Sequence, residues 1–448
     1  MTDMTETPGE LLGNLIETCM KAGATDADAA FGRSEGVSVE VLNGALEGIE
    51  RSESQGVALR CFFGQQMASV SGSDTSPEAL KTLAERCVAM AKAVPADPYC
   101  GLASPEDLAH ERPDLDLTGD GEIAADQLER DALEAEATAL AVQGVKQASS
   151  VGNGWSRSER WVAASNGFSA HRRTGSTGLG LAVVAERDGA MERDYESRTV
   201  RRLEDRPSAR DIGRLAGERA VARLAPRKVK TQKAAVLYDR RVAGSLIGAF
   251  LSAISGPSIA RGVSFLKDKM GEGVFAPGVN LIDDPFRLRG LGSRVHDGEG
   301  RPVSKVSLID DGKLTRWLLN GASAKQLGLK PNGHASGGFG GAPGVGVSNA
   351  YLEAGPDSPE ALMQRVGKGL LVTDMFGPSI NPNTGDYSVG VAGFWFEDGN
   401  VQHPVSEVTI AGDLPSMFAR LVPASDLEFR GTRDAPSILI EDMSIAGE

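Results

Sequence analysis

The fold is decided by residues 369–413, GLLVTDMFGPSINPNTGDYSVGVAGFWFEDGNVQHPVSEVTIAGD. The apolar periodicity and turn residues of this stretch predict, in order, a strand from Leu370 that stops at Gly377-Pro378, a turn over 381–385, a strand over 387–396, a hairpin turn at Asp398-Gly399 and a return strand over 401–410. Such a pattern is typical of a meander in a sheet core. A binding cleft edged by the Gly/Asn loop is the alternative interpretation.

The composition of the chain excludes several classes of protein. Its 448 residues are too many for one core, so two or three domains are expected. A formal net charge of -14 argues against nucleic acid as the main partner, because phosphate binding needs a basic surface. No apolar run approaches the ~18 residues of a membrane span. The N-terminal MTDMTETPGE lacks the basic-then-apolar order of a signal peptide, so we expect a cytoplasmic protein.

The first half of the chain predicts helices packed on an antiparallel sheet. Pro8 and Ser76 mark the starts of two helices, and Asn43-Gly44 marks a hairpin between the strands that separate them. Two further helices are expected over 125–142 and 208–224, with strands between them. This order predicts an α+β domain over 1–225, with sub-regions at about 1–95 and 122–225.

The second half begins after a basic linker over 226–231 and is predicted to be rich in β-structure. Ala234–Tyr238 reads as a buried strand and Val242–Ile254 as a helix, after which strands and turns dominate. A Gly-rich loop over 333–346 contains His334. This loop lacks the GxxxxGK[ST] phosphate motif, so it is interpreted as a flexible loop or strand edge. The second domain is therefore placed at 232–448.

No motif in the chain is sufficient for catalysis by itself. The five histidines have no spacing that suits a metal site. The four cysteines all precede residue 101 and are interpreted as small buried apolar residues. Neither a G-x-S-x-G elbow nor a dinucleotide-binding fingerprint occurs. The residues alone therefore predict a multi-domain α+β protein and identify no catalytic residue.

Several long segments resemble the TldD/PmbA family, also called the modulator of DNA gyrase family. They are ALRCFFGQQMASVSGSD at 58–74, AISGPSIARGVSFLKDKMG at 253–271, LTRWLLNGASAKQLGLKPNGHASGG at 314–338, the opening stretch extended to Leu414, and MSIAG at 443–447. The segments span the chain and are most similar to the PmbA (TldE) branch. The resemblance implies an N-terminal α+β part with a mixed or antiparallel sheet and a mainly β, barrel-like C-terminal part.

The resemblance also implies a role in zinc-dependent proteolysis of unfolded or extended peptides in the cytoplasm. In this family a TldD subunit carries HExxxH on a helix and a later cysteine, and it works with a TldE subunit as a heterodimer. The resemblance places the motif window on the helix over 242–254. Ile247 and Ser252 stand there at the positions of the two histidines, and Gly248 stands at the position of the glutamate. None of them binds zinc as the motif does, so no cofactor is expected in this chain and zinc is expected in the TldD-type partner.

The leading hypothesis is therefore the non-zinc subunit of a TldD/TldE-type peptidase, inactive without its partner. It would shape a chamber and hold peptide along a sheet edge. The residues proposed to line the chamber or bind peptide are Asn381, Asn383, Gly385, Asp386, Tyr387 and His334. One alternative is a peptidase with non-zinc chemistry at Asp374, Asp386 or Tyr387. Another is a non-proteolytic modulator of gyrase or of a toxin–antitoxin protein. A homodimer of the isolated chain through the same surface is also expected.

Overall fold

The computed structural model describes residues 7–111 and 113–448. The prediction of a cytoplasmic protein rests partly on the acidic residues 1–6, which lie outside the described residues. The helices are α1 (Pro8–Lys21), α2 (Pro77–Ala93), α3 (Ala125–Leu140), α4 (Ala209–Ala222), α5 (Arg240–Ala253), α6 (Gly256–Ala260), α7 (Gly321–Leu327), α8 (Pro359–Val366) and α9 (Leu414–Ala419). Within the described residues, no helix is long and apolar enough to cross a membrane.

The first six strands form the N-terminal sheet, and the remaining strands belong to the C-terminal part. The strands are β1 (Asp26–Leu42), β2 (Ala45–Phe63), β3 (Gln66–Gly72), β4 (Val145–Ala164), β5 (Ser169–Arg187), β6 (Ala190–Val200), β7 (Gln232–Tyr238), β8 (Leu281–Asp283), β9 (Val306–Asp310), β10 (Lys313–Leu314), β11 (Ala335–Ser336), β12 (Gly344–Val345), β13 (Ala350–Leu352), β14 (Gly369–Ile380), β15 (Asp386–Glu397), β16 (Asn400–Asp413), β17 (Val422–Pro423), β18 (Arg433–Asp434) and β19 (Ile438–Ala446).

The N-terminal sheet is antiparallel, with the order β3-β2-β1-β4-β5-β6. Helices α1 and α2 pack on one part of it, and α3 and α4 pack on another. Because β1 pairs with β4, a single sheet spans both predicted sub-regions. The hairpin at Asn43-Gly44 is confirmed: both residues have positive φ, at 55° and 73°. The buried carboxylate of Glu136 on α3 accepts both of their N–H groups at 2.8 Å and ties the turn to the helix.

Strands β1 and β2 are longer than the sequence predicts. The apolar pattern suggests separate short strands on each, but each is one continuous strand, and residues 45–55 of β2 are exposed. Their side chains carry no buried face, so hydrophobic alternation could not indicate a strand there. Cys19, Cys61 and Cys87 are fully buried beneath this sheet, as predicted, while Cys100 is half-buried. Hydrogen bonding with Cys19 raises the pKa of the Cys61 thiol to about 12, so this thiol stays protonated at neutral pH.

The opening stretch forms β14, β15 and β16, three strands of a closed barrel. Strand β14 also pairs with β7 in parallel, β7 pairs with β19, and β19 pairs back to β16, so this ring has no free edge where all five strands meet. The α+β fold class with a barrel-like C-terminal part is therefore confirmed. The predicted turn at Asp398-Gly399 is also confirmed, with φ values of 49° and 73°.

One boundary in the opening stretch is wrong. Gly377-Pro378 does not end the first strand, because β14 continues to Ile380 through an irregularity between Phe376 and Ser379. The irregularity places Pro378 where no ladder hydrogen bond is needed, and Gly377 takes a φ of 58°. The predicted basic linker falls in the segment between α4 and β7.

The barrel depends on a close approach between β14 and β15 at Gly393, where a Cβ atom would overlap the carbonyl oxygen of Leu371. We expect Gly393→Ala to destabilise the C-terminal part by about 1–3 kcal/mol, because the strands must move apart to admit the methyl group. The midpoint of thermal unfolding, followed by circular dichroism, should fall accordingly. Gly48→Ala is the matched control, since nothing lies within 4 Å of its Cβ position on the exposed part of β2. An equal midpoint for both variants would contradict the prediction.

Candidate functional site: a groove beside helix α5

A groove of about 840 Å³ lies where β7 ends before its neighbour β14 does. Strand β7 pairs with β14 only as far as Tyr238 and Val372. The chain then turns at Asp239, whose side chain accepts the N–H of Arg241 and caps α5. Among the described residues, the part of β14 beyond Val372 is therefore paired on one side only, by β15. Its other side borders the groove.

Most of the α5 residues that line the groove have small or hydroxyl side chains: Gly244, Ser245, Gly248, Ala249, Ser252 and Ala253. Arg241 and Val242, in the first turn of the helix, line it as well. The opposite face of α5, which includes Ile247 and Phe250, is fully buried in the main core. The groove floor is therefore a narrow surface where backbone and hydroxyl groups are accessible.

The motif window inferred from the family resemblance is divided by this helix. Ile247 points into the core with no exposed surface, whereas Gly248 and Ser252 lie in the groove. The Ser252 hydroxyl donates to the Gly248 carbonyl oxygen at 3.0 Å. Within residues 7–111 and 113–448 there is no group of three or more His, Cys, Asp or Glu side chains that could hold a metal ion. The side chains at the window do not fit the zinc ion that the family implies.

The groove contains an unpaired cation, the guanidinium group of Arg433. This residue lies on β18, is exposed, and makes no side-chain hydrogen bond or ion pair with any described residue. Its Nη1 atom lies 3.3 Å from the position a Cβ would take on Gly248, and its carbonyl oxygen lies 2.8 Å from that position on Gly244. An adjoining cleft of about 470 Å³ shares Gly248, Ser252 and Arg433 with the groove. Arg433 therefore stands between two connected depressions.

The wall of the groove opposite the motif window is held by a buried network of charges. Asp194 on β6 accepts from Arg241 at 2.9 Å, and Arg223 lies 3.6 Å from its other oxygen. Arg223 also donates to Asp374 on β14 at 2.9 Å. The second Asp374 oxygen accepts the Met375 N–H at 3.0 Å, so a side chain satisfies this strand N–H. The network joins the N-terminal sheet, α5 and the free edge of β14.

The structure brings only part of the predicted peptide-binding set to an accessible surface. Asn381, Asn383 and Asp386 are exposed in the loop next to Pro382, which lines the groove. Gly385 is buried with a φ of 84°, and a Cβ at this position would lie 2.6 Å from the Pro415 ring. Tyr387 and His334 do not reach that surface, because both side chains are buried. Tyr387 lies in the main core, and His334 Nε2 lies 3.4 Å from Asp283.

The three residues suggested for non-zinc chemistry do not form one site. Asp374 pairs with Arg223 in the groove wall, and Asp386 accepts from Thr384 in the loop. Burial raises the pKa of Tyr387 to about 12, so its phenol stays protonated at neutral pH. The neighbouring Tyr238 phenol has a smaller, opposite effect on this pKa. Neither hydroxyl has a hydrogen-bond partner among the described residues. The buried phenol supplies neither a base nor a nucleophile.

Sequence reasoning missed Arg433 and the free edge of β14. Arg433 sits on a strand of two residues, which has no periodicity to detect. The edge of β14 is free only because β7 ends early, a fact about pairing between segments more than 130 residues apart. Two features of the sequence could have indicated the groove: the small residues on one face of α5 and the interruption of the strand pattern at Gly377-Pro378.

Comparison with known proteins was made by sequence and by structure. Family models of the PmbA/TldA metallopeptidases match in three parts: domain 1 over residues 27–91, the central domain over 119–224 and the C-terminal domain over 231–447. The metalloprotease PmbA of Escherichia coli O157:H7 is 33% identical over 450 residues, which cover 99% of this chain and 98% of that protein. A PmbA homolog of Haemophilus influenzae is 32% identical, covering 96% and 94% of the two chains.

Two solved structures share the fold over nearly the whole chain. A putative modulator of DNA gyrase from Bacteroides thetaiotaomicron superposes with a TM-score of 0.90 at 23% identity, covering 98% of this chain and 99% of that one. TldE from Thermococcus kodakarensis superposes with a TM-score of 0.87 at 22% identity, covering 98% and 100%.

The ion pair between Asp194 and Arg241 should hold the groove wall. We expect Asp194→Ala to destabilise the protein by about 3–5 kcal/mol, because it removes the carboxylate that lies 2.9 Å from the buried Arg241 guanidinium and 3.6 Å from that of Arg223. Adding Arg241→Met should recover part of that loss, and a double-mutant cycle by urea unfolding would measure the coupling. The exposed pair Arg214 and Glu218 serves as the control and should show no measurable coupling. Additive effects at Asp194 and Arg241 would contradict this role.

Proposed function

The chain belongs to the PmbA/TldD metallopeptidase family, and we propose that it is the zinc-free, peptide-binding subunit of a cytoplasmic TldD/TldE-type peptidase complex. The observation that carries the proposal is the groove, in which a free strand edge runs beside a helix without metal ligands. Substrate binding and chemistry would then belong to different subunits. The substrates would be unfolded or extended peptides.

The free edge of β14 suits a peptide in extended conformation. A peptide that adds to a sheet edge is held by main-chain hydrogen bonds, which fix its backbone and not its sequence. The regular part of the edge covers Asp374–Phe376, between two irregularities in the strand, and a peptide there would have to displace the Asp374 carboxylate to bond the Met375 N–H. Phe376 and Ile380 are 53% and 38% exposed and offer apolar contacts next to it. The site would therefore grip a short segment of peptide and accept varied side chains.

Arg433 adds a charged contact to this edge. Its unpaired guanidinium can donate to a peptide carbonyl or to a terminal or side-chain carboxylate, and hydrogen bonds from a charged donor are roughly twice as strong as neutral ones. Because Arg433 also borders the adjoining cleft, a bound peptide could continue from the groove into that cleft. The arginine would then set the register of the peptide.

The catalytic zinc would come from a TldD-type partner. The window on α5 presents an apolar side chain, a glycine and a serine, none of which is a zinc ligand in the manner of the family motif. A heterodimer of related subunits has pseudo-two-fold symmetry, so the isolated chain could also form a homodimer through the same surface. In the complex, the chain would close the chamber and present the peptide.

The division of labour can be tested by zinc content and cleavage. After co-expression with a TldD-type subunit and separation of the two chains, zinc should be found in the partner and not in this chain. The mixture should cleave an unstructured peptide and lose that activity to a chelator, while this chain alone should be inactive. Chelator-sensitive cleavage by this chain, freed of its partner, would sink the proposal. Co-purification of an intact protein with no cleavage by the mixture would instead support a non-proteolytic modulator.

The groove can be tested by filling it. Gly248→Leu would place a side chain where Arg433 Nη1 now lies 3.3 Å from the Cβ position, so we expect at least about tenfold weaker peptide binding and a similar loss of cleavage by the complex. Fluorescence anisotropy of a labelled unstructured peptide would measure the binding.

Gly13→Leu is the matched control for the groove variant. Gly13 is also inside a helix, α1, and nothing lies within 4 Å of its Cβ position. This variant should bind and cleave as the wild type does. Unchanged peptide binding by Gly248→Leu, with zinc still in the partner, would reject the groove and leave the division of labour intact.

A further inference from the structure

A second cavity lies between the N-terminal sheet and the C-terminal part, away from the groove. It has two lobes of about 430 and 290 Å³. Residues of β4 and β5 form one side, and the loops around 291–298 and 335–339 form the other. Both lobes are lined by Ala170, Arg172, Arg294 and His296, so they lie side by side. The family motif window and the proposed peptide edge have no residue in it.

Four arginines lie at this cavity without a carboxylate partner among the described residues: Arg160, Arg172 and Arg294 line it, and Arg201 is close enough to act on the charge of Arg172. None of the four makes an ion pair with a described residue; each donates instead to main-chain carbonyl oxygens. Their acceptors are Gly338 and Phe339 for Arg160, Ser293 for Arg172, Gly175 and Leu291 for Arg201, and Ala335, Gly333 and Gly346 for Arg294. Carbonyl dipoles do not neutralise a full charge, so the positive charge of the cluster remains.

Two of these arginines still have donors to offer. Arg172 and Arg160 each use only Nη2 for a hydrogen bond, and both residues are more than a third exposed while lining the cavity. Although the Arg172 guanidinium reaches solvent, protein surrounds it on several sides. That enclosure, followed by the charges of Arg201, Arg294 and Arg160, lowers the pKa of Arg172 to about 10. A bound anion would relieve this repulsion.

Two carboxylates, Asp297 and Asp114, also line the cavity, and both accept main-chain N–H groups. Asp297 accepts the N–H groups of Glu299 and Arg301 at 2.9 Å and that of Ala335 at 3.3 Å. Burial raises the pKa of Asp297 to about 6, so this carboxylate loses its charge only below neutral pH. Asp114 in the larger lobe accepts the N–H of Asp116 at 2.9 Å. In a chain with a formal net charge of -14, a concave surface with this excess of arginine is a local exception.

We propose that this cavity binds a small phosphate-bearing ligand, with Arg172 and Arg160 as the residues that contact the phosphate. A guanidinium group presents paired donors that match phosphate oxygens, and a phosphate dianion balances more of the cluster than one carboxylate does. Val162, Leu291 and Phe339 give the smaller lobe an apolar wall, which suits a ring attached to the phosphate. A nucleoside diphosphate combines these two features.

The position of the cavity gives the ligand a structural effect. One side of the cavity belongs to the N-terminal sheet and the other to the C-terminal loops, so a bound anion would contact both parts of the chain. A ligand that binds only the folded protein raises its stability by mass action. Occupancy of the cavity should therefore raise the midpoint of thermal unfolding.

The test is isothermal titration calorimetry of the full chain with pyrophosphate, with ADP and with citrate. We expect pyrophosphate and ADP to bind at a single site, and ADP to bind more tightly because of the apolar wall. Arg172→Gln should weaken both by at least about tenfold, since it removes charge-assisted hydrogen bonds. Arg172→Lys keeps the charge and should retain part of the affinity. Circular dichroism without ligand verifies that the variants fold.

Arg130→Gln is the control for net charge, because Arg130 lies on the exposed face of α3 and, among the described residues, pairs with Asp126 alone, four residues earlier. This variant should bind as the wild type does. Absence of pyrophosphate binding, or equal weakening by Arg172→Gln and Arg130→Gln, would overturn the proposal. Citrate binding as tight as that of pyrophosphate would overturn the choice of phosphate.

Discussion

The early end of β7 at Tyr238 is the constraint on which the candidate site depends. Four residue pairs join β7 to β14, and the chain then turns at Asp239 into α5. The pairing of β16 with β19 closes the barrel. Beyond Val372, β14 continues as far as Ile380, and within the described part of the chain it has a paired strand there on one side only. Because β7 ends before β14 does, the chain turns into α5 at this point and the last part of β14 borders the groove beside that helix.

Small residues on α5 make the groove a place for backbone contacts. Gly244 permits the carbonyl oxygen of Arg433 to approach the helix, and Gly248 leaves room for its guanidinium group. A histidine or glutamate at these positions would occupy the same space. In this chain, α5 therefore presents an open surface to the groove.

Arginines connect the two halves of an acidic chain in two different ways. Beside the groove, Arg241 and Arg223 meet the carboxylates of Asp194 and Asp374, so the charges are balanced. Around the second cavity, Arg172 and its neighbours meet carbonyl oxygens and keep their charge. Balanced pairs fix the geometry of a wall, whereas unbalanced charge attracts an anion. Arginine side chains therefore stabilise the wall of the groove, and at the second cavity they are the proposed phosphate-binding groups.

The sequence by itself determined what depends on neighbouring residues. Asn43-Gly44 and Asp398-Gly399 form their hairpins because these residues tolerate positive φ, and α1 begins at its capping box with Thr7 and Glu10. The long resemblance also identified the family and the α+β class. Only the tertiary structure decided which side chains are accessible. Tyr387 and His334 are buried and Arg433 is exposed because of contacts between segments far apart in the chain. The burial of a side chain and the pairing of a strand edge depend on many such distant contacts, and a local pattern of residues does not reveal those contacts.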